Sequence, residues 1–141
     1  TVQRLTQDWY RSWAARKIDP YLKHYSQNFR FGSMRIKQFK AYKKRVFKSY
    51  KTMTIDNRDM RVMTHPKYAV SIMNQDFNGD DRFISQGRKI LYWKRYEDGS
   101  WKIFDEQFEK RRLKPINISQ KVSAGLLRVK EEPRKVLGSN L

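Results

Sequence analysis

The chain has no cysteine, which excludes a disulfide framework, a thiolate zinc site and cysteine nucleophiles. No stretch approaches the roughly 20 consecutive apolar residues of a membrane-spanning helix. Histidine is scarce, at two residues, and acids are few, with 14 Asp and Glu against 32 Lys and Arg. There is no internal repeat and no low-complexity segment. What is present bounds the rest. At 141 residues the length suits one domain. Four Trp, eight Tyr and eight Phe are too much apolar area to leave in water, which argues against disorder throughout. A net charge of +18 points to a polyanion or an acidic surface as partner and says nothing about fold. The sequence starts at Thr1 rather than Met and shows no signal peptide, so a processed protein or a piece of a longer one is expected.

Hydrophobic periodicity divides the chain in two. Val2, Leu5, Trp9 and Trp13 recur at helical spacing and predict a helix from Val2 to about Lys17. Asp19-Pro20 reads as the cap and start of a second, short helix carrying Tyr21, Leu22 and Tyr25. Phe29 and Phe31 flank a short extended piece ending at Gly32. A third helix is predicted from about Met34 to Tyr50, with Ile36, Phe39, Val46, Phe47 and Tyr50 on one face. Its opposite face carries Lys37, Lys44, Lys48 and Lys51, and no acid occurs between Arg35 and Lys51. Lys43 breaks the pattern, because at about 100° per residue it points into the apolar stripe.

After Lys51 the period changes to two. Met53 with Ile55, Met60 with Val62, and Tyr68 with Val70 and Ile72 alternate, and Asn78-Gly79-Asp80 signals a turn. Phe83 to Tyr96 predicts one long strand or two, with Gly87 as a bulge site, and Ser100 to Phe108 a final strand. Asp98-Gly99 signals the hairpin between them. A three-residue loop, Glu97-Asp98-Gly99, with Gly99 left-handed, pairs Trp93 with Ile103 and Leu91 with Asp105. That register, chosen because it gathers Leu91, Trp93, Trp101 and Ile103 on one side, points Asp105 at the helices. The expected class is α+β: three N-terminal helices packed on a curved antiparallel sheet, over residues 1–109. Residues 110–141 are expected to form a basic, partly mobile extension.

Trp9-x3-Trp13, Asp19-x-Tyr21-Leu22-x2-Tyr25-x3-Phe29, Phe39-Lys40-x2-Lys43, Tyr92-Trp93 and Gly99-x-Trp101-Lys102-Ile103 together resemble an NTF2-like domain of the SnoaL type. Within that superfamily the basic run 39–46 and Lys89-Ile90-Leu91-Tyr92-Trp93 are most similar to one branch. That branch is the C-terminal accessory domain of bacterial L,D-transpeptidase-like peptidoglycan peptidases and related envelope proteins. The resemblance spans about Leu5 to Phe108. It implies a cone-shaped fold, a periplasmic or cell-envelope location, and an accessory role beside a catalytic domain that is absent from this chain. It also implies dimerisation through the outer face of the sheet, where the chosen register places Tyr92 and Phe104.

The candidate sites follow. A ligand pocket is expected from Trp9, Trp13, Tyr25, Phe39, Tyr42, Lys43, Gln75, Trp93 and Asp105, since aromatic rings supply area at low entropic cost. Tyr21 and Trp101 belong to the same aromatic set, and most of these rings are equally well read as core. Lys43 either anchors an anionic ligand group or snorkels along Phe39 and Phe47. Asp105 is the one acid read as a catalytic candidate, or else it pairs with Lys43 or Arg95. His24 and His65 are read as outward-facing or in a turn, and no paired acid–base groups of the kind used by isomerase and dehydratase relatives are evident. No metal and no cofactor are expected. A polyanion face is expected from Lys37, Lys40, Lys44, Lys48 and Lys51, facing solvent, an anionic polymer or lipid headgroups. The chain lacks a reading element for specific nucleic-acid recognition. The reading of function is therefore a non-catalytic envelope module binding a peptidoglycan-like or other anionic ligand, or its parent enzyme domain. The alternatives are a small enzyme using Asp105 with a Tyr, and a nonspecific polyanion binder.

Overall fold

The computed structural model describes residues 1–112, so the expectation for the tail lies, from residue 113 onward, outside the described residues. Helix α1 (Val2–Ala14) buries Val2, Thr6, Trp9, Tyr10, Ser12 and Trp13, a stripe wider than the predicted one, while Leu5 is only partly buried. The chain then turns at Arg16, in the left-handed region at φ 59°. Helix α2 (Ile18–Leu22) starts earlier than Asp19-Pro20 suggested: Lys17 occupies the N-cap position and Asp19 lies in the first turn. Two short strands, β1 (Arg30–Phe31) and β2 (Met34–Arg35), pair before α3 (Ile36–Lys48). The α3 N-terminus is fixed by the Gln38 side chain, which accepts the Arg35 N–H at 2.9 Å. Its C-terminus is held by Arg16, whose guanidinium donates to the carbonyls of Phe47 (3.2 Å), Tyr50 and Lys51 (2.9 Å). A cation at that end also complements the helix dipole.

The sheet is a four-stranded antiparallel meander in the order β3 (Met53–Thr64), β4 (Tyr68–Gly79), β5 (Phe83–Arg95), β6 (Trp101–Lys110). Its concave face covers the helices with Met53, Ala69, Met73, Phe77, Leu91, Trp93 and Ile103, which join the helical aromatics in one core. Strand β5 is continuous through Gly87, which pairs in register with Gln75 and Lys110. Gly87 is required for another reason: a side chain there would meet the Glu109 carbonyl oxygen at 2.2 Å. The irregularities lie elsewhere, on β3 between Arg58 and Arg61 and on β6 opposite Tyr92–Trp93.

The β5–β6 hairpin decides the site. Gly99 takes φ 85°, Tyr96 N–H donates to the Ser100 carbonyl at 2.8 Å, and Trp93 pairs with Ile103, as the three-residue loop requires. One step further Tyr92 pairs with Asp105, so Phe104 is an extra residue in a β-bulge. The bulge exchanges the faces beyond it: Leu91 pairs with Glu106, not with Asp105. Asp105 is exposed and accepts the Glu106 N–H at 2.9 Å, while the Glu106 side chain turns inward.

Candidate functional site

Period-two alternation on β5 sends Ser85, Gly87, Lys89, Leu91 and Trp93 to the concave face. Lys89 therefore enters the core, and the β6 bulge brings Glu106 to meet it. The two form an ion pair at 2.8 Å with side chains 1% and 2% exposed. The chain after α2 runs along β6, with Ser26 N–H donating to the Ile103 carbonyl at 2.8 Å and Ile103 N–H to the His24 carbonyl at 2.7 Å. This contact aims Tyr25 at the pair, and its hydroxyl donates to Glu106 Oε1 at 2.5 Å. The Tyr25 oxygen is a hub: Trp9 Nε1 donates to it at 3.1 Å and the Tyr21 hydroxyl lies 2.9 Å away. Lys43 enters from α3, with Nζ 4.9 Å from the Trp13 ring centre, 5.7 Å from Phe39 and 5.8 Å from Tyr21. Lys89 Nζ lies 5.8 Å from the same Trp13 ring, so one indole faces both ammonium groups. Trp13 Nε1 is buried and has no acceptor among the described residues.

Electrostatics sort these groups by role. Burial pulls Lys43 down to about 7; Glu106 opposes that shift and Lys89 reinforces it. Burial pushes the Glu106 carboxyl up, but Lys89, Lys43 and the hydrogen bonds from Lys89 and Tyr25 outweigh it and hold the group below the usual carboxylate range. Burial, and then the Glu106 charge, raise Tyr10, Tyr21 and Tyr25 well above 10. The cluster thus holds a fixed carboxylate, protonated phenols and one amine balanced between its two forms. A carboxylate held ionised by a 2.8 Å ammonium is a poor proton donor.

Most of the expected pocket residues converge here. Trp9, Trp13, Tyr25, Phe39 and Lys43 form the centre, and Tyr42 is half-buried at its edge, 6.0 Å from Lys43 Nζ. Gln75 accepts the Tyr10 hydroxyl at 2.8 Å, and Trp93 Nε1 donates to Ser71 Oγ at 2.9 Å. Asp105 is the exception, removed by the bulge, and the enzymatic reading that rested on it loses its acid. Lys89, Glu106 and Tyr10 were not anticipated. Lys89 was detectable, since it shares the phase of Leu91 and Trp93. His24 is half-buried rather than outward, edge-on to Trp93 at 6.5 Å, and His65 is exposed. Of the expected polyanion face, Lys37, Lys44, Lys48 and Lys51 are exposed, but Lys40 is half-buried and bridges Asp19 at 3.3 Å. No group of three His, Cys, Asp or Glu among the described residues suits a metal ion.

Three helices on a curved four-stranded antiparallel sheet, closed around an aromatic interior, define the NTF2-like cone. The family model described as the Cds6 C-terminal NTF2-like domain matches residues 1–107, and the chain belongs to that family. Among solved structures it is similar to Bd1075 of Bdellovibrio bacteriovorus, with a TM-score of 0.72 at 18% identity. That match covers 80% of this chain and 40% of Bd1075. It is similar to Pgp2 of Campylobacter jejuni, a helical cell shape determining protein, with a TM-score of 0.59 at 26% identity over 72% of this chain and 38% of Pgp2. An NTF2-like protein of unknown function from Pseudomonas putida KT2440 gives a TM-score of 0.67 at 12% identity, covering 84% and 87% of the two chains. The chain thus spans about two fifths of Bd1075 and Pgp2. No protein of curated function matches. No helix among the described residues is long and apolar enough to cross a membrane.

Proposed function

We propose that this domain is a non-catalytic accessory module of a bacterial cell-envelope protein, and that its cone takes a carboxylate-bearing ligand of the peptidoglycan type. The observation that carries this reading is the buried Trp13 N–H, which has no acceptor among the described residues, on a ring faced by Lys43 Nζ. A buried donor left unpaired costs about 1–3 kcal/mol, and a carboxylate oxygen would repay it beside a cation. Membership of the Cds6 C-terminal family and likeness to Pgp2, a cell shape protein, support the envelope setting. Ionised Glu106, locked to Lys89, supports binding over catalysis. Titration of tryptophan fluorescence with soluble peptidoglycan peptide fragments tests it. A saturable change that Lys43→Met abolishes is the expected result. An unchanged signal and unchanged melting temperature at millimolar fragment would overturn it.

The outer face of the sheet favours a partner as well, and we propose a second copy of this chain. Tyr68 and Phe104 are 48% and 38% exposed, and the Phe104 ring lies 6.0 Å from Tyr68 and 6.3 Å from Tyr92. Met63, 60% exposed, pairs with Val70 in the neighbouring strand. Sedimentation showing only monomer at high concentration would end that proposal.

A further inference from the structure

Beyond the interior ligand, the observations reach furthest on the exposed face of α3. At about 100° per residue, Lys37, Lys44 and Lys48 fall within roughly 40° of one another, with Arg45 on the flank. All four are exposed, and none joins an ion pair among the described residues. Lys51 extends the cationic patch just past the helix end and is exposed too. Two acids touch the margins of the patch: Asp19 bridges Lys40, one helical turn from Lys37 and Lys44, and Asp80 accepts the Lys51 N–H at 3.1 Å and bridges Arg82. Asp8 is held by Arg11. Five cations against these two acids leave the face net positive.

We propose that this face docks the domain onto the anionic lipid headgroups of a membrane, without insertion. Three features select that partner. First, the cations follow one ridge of a helix lying on the domain surface. A plane of headgroups touches such a ridge along its length, whereas a duplex or a linear polymer is gripped better by a groove or a reading element. Second, the row is lysine. Arginine's planar fork suits bidentate recognition of discrete phosphates, and lysine's compact, strongly hydrated charge suits a diffuse negative surface. Third, among the described residues the large apolar side chains that are exposed, Met63, Tyr68 and Phe104, all lie on the sheet. The α3 face therefore offers no wedge, and its binding is purely electrostatic and reversible by salt.

Co-sedimentation of the whole chain with vesicles tests the proposal. The probes are phosphatidylcholine alone and phosphatidylcholine mixed with phosphatidylglycerol, at low and high ionic strength. Binding is expected only to the mixed vesicles and only at low salt. The triple variant K37Q/K44Q/K48Q should weaken it by roughly a hundredfold, from the loss of three lysines at a charged surface. K37E/K44E/K48E reverses those charges and should abolish it, and the Gln variant stands in should the reversal variant fold poorly. Overturning results are no binding to mixed vesicles at low salt, equal binding by the variants, or equally tight binding to a DNA duplex under the same conditions. The last would mark an indiscriminate polyanion binder. Interior fragment binding should survive in these variants, so the two readings fail separately.

Discussion

Lys43 and Lys44 are neighbours in the chain and on α3, yet one is sealed among aromatic rings and the other stands in water. One helix thus carries two lysine populations with opposite consequences. Inside, a cation has a large desolvation cost, which brings the titration of Lys43 down to about 7, and its partners fix its role. Outside, the same side chain is almost silent energetically and acts only by adding to a field. The same division runs through the molecule. Residues 1–51 hold 14 basic and 2 acidic residues, while residues 52–112 hold 12 and 10. The helical layer carries charge, and the sheet contributes a near-balanced scaffold.

The contrast is most sharply broken at the ion pair. Lys89→Met leaves Glu106 buried without its cation and should cost about 3–5 kcal/mol in a denaturant titration. The double change Lys89→Met with Glu106→Leu should recover part of that loss, which a double-mutant cycle measures. Next comes pH. Lys43 titrates near 7 when folded and near 10.4 when unfolded, so between those values the unfolded chain binds the extra proton. Stability should therefore rise from about pH 7 towards pH 10, by on the order of 4 kcal/mol at most. Above that it should fall, because Tyr10, Tyr21 and Tyr25 keep protons that the unfolded chain releases. Thermal melts across the range test the sign, and Lys43→Met should flatten the rising limb. A smaller effect belongs to the edge of the cone: Trp93→Phe removes the donor to Ser71 and should cost about 1–3 kcal/mol by hydrogen-bond loss and imperfect filling. Smallest is Lys44→Glu, whose effect on stability should stay within about 0.5 kcal/mol. A large loss there would erase the distinction between the two lysines.

Much of this was legible in the residues. The apolar stripes of Trp9 and Trp13, and of Phe39 and Phe47, located the helices that line the cone. The alternation from Met53 to Phe108 located the meander. Lys43 stood out because helical phase alone placed a charge in an apolar stripe. The interior acid was not legible, since alternation carried past Ile103 selects Asp105. Phe104 breaks that count, and nothing in its neighbours marks the break, because Phe104 suits the outer face with or without a bulge. The partner of Lys40 was not legible either: the helix phase places it at the stripe's margin, and only the packing of α2 beside α3 brings Asp19 to it.

The Phe104 bulge has a practical consequence for moving residue assignments between members of this family. Remove Phe104, and Trp93 still opposes Ile103, Tyr92 still opposes Asp105, and Leu91 still opposes Glu106, now in an uninterrupted ladder. The interior carboxylate therefore sits three positions after Ile103 in this chain, and would sit two positions after it in a chain one residue shorter. A gap at this point in an alignment is a faithful record of geometry, and an ungapped one would pair the buried acid with a surface residue. Deleting Phe104 should leave the Lys89–Glu106 pair intact and remove only the exposed ring between Tyr68 and Tyr92.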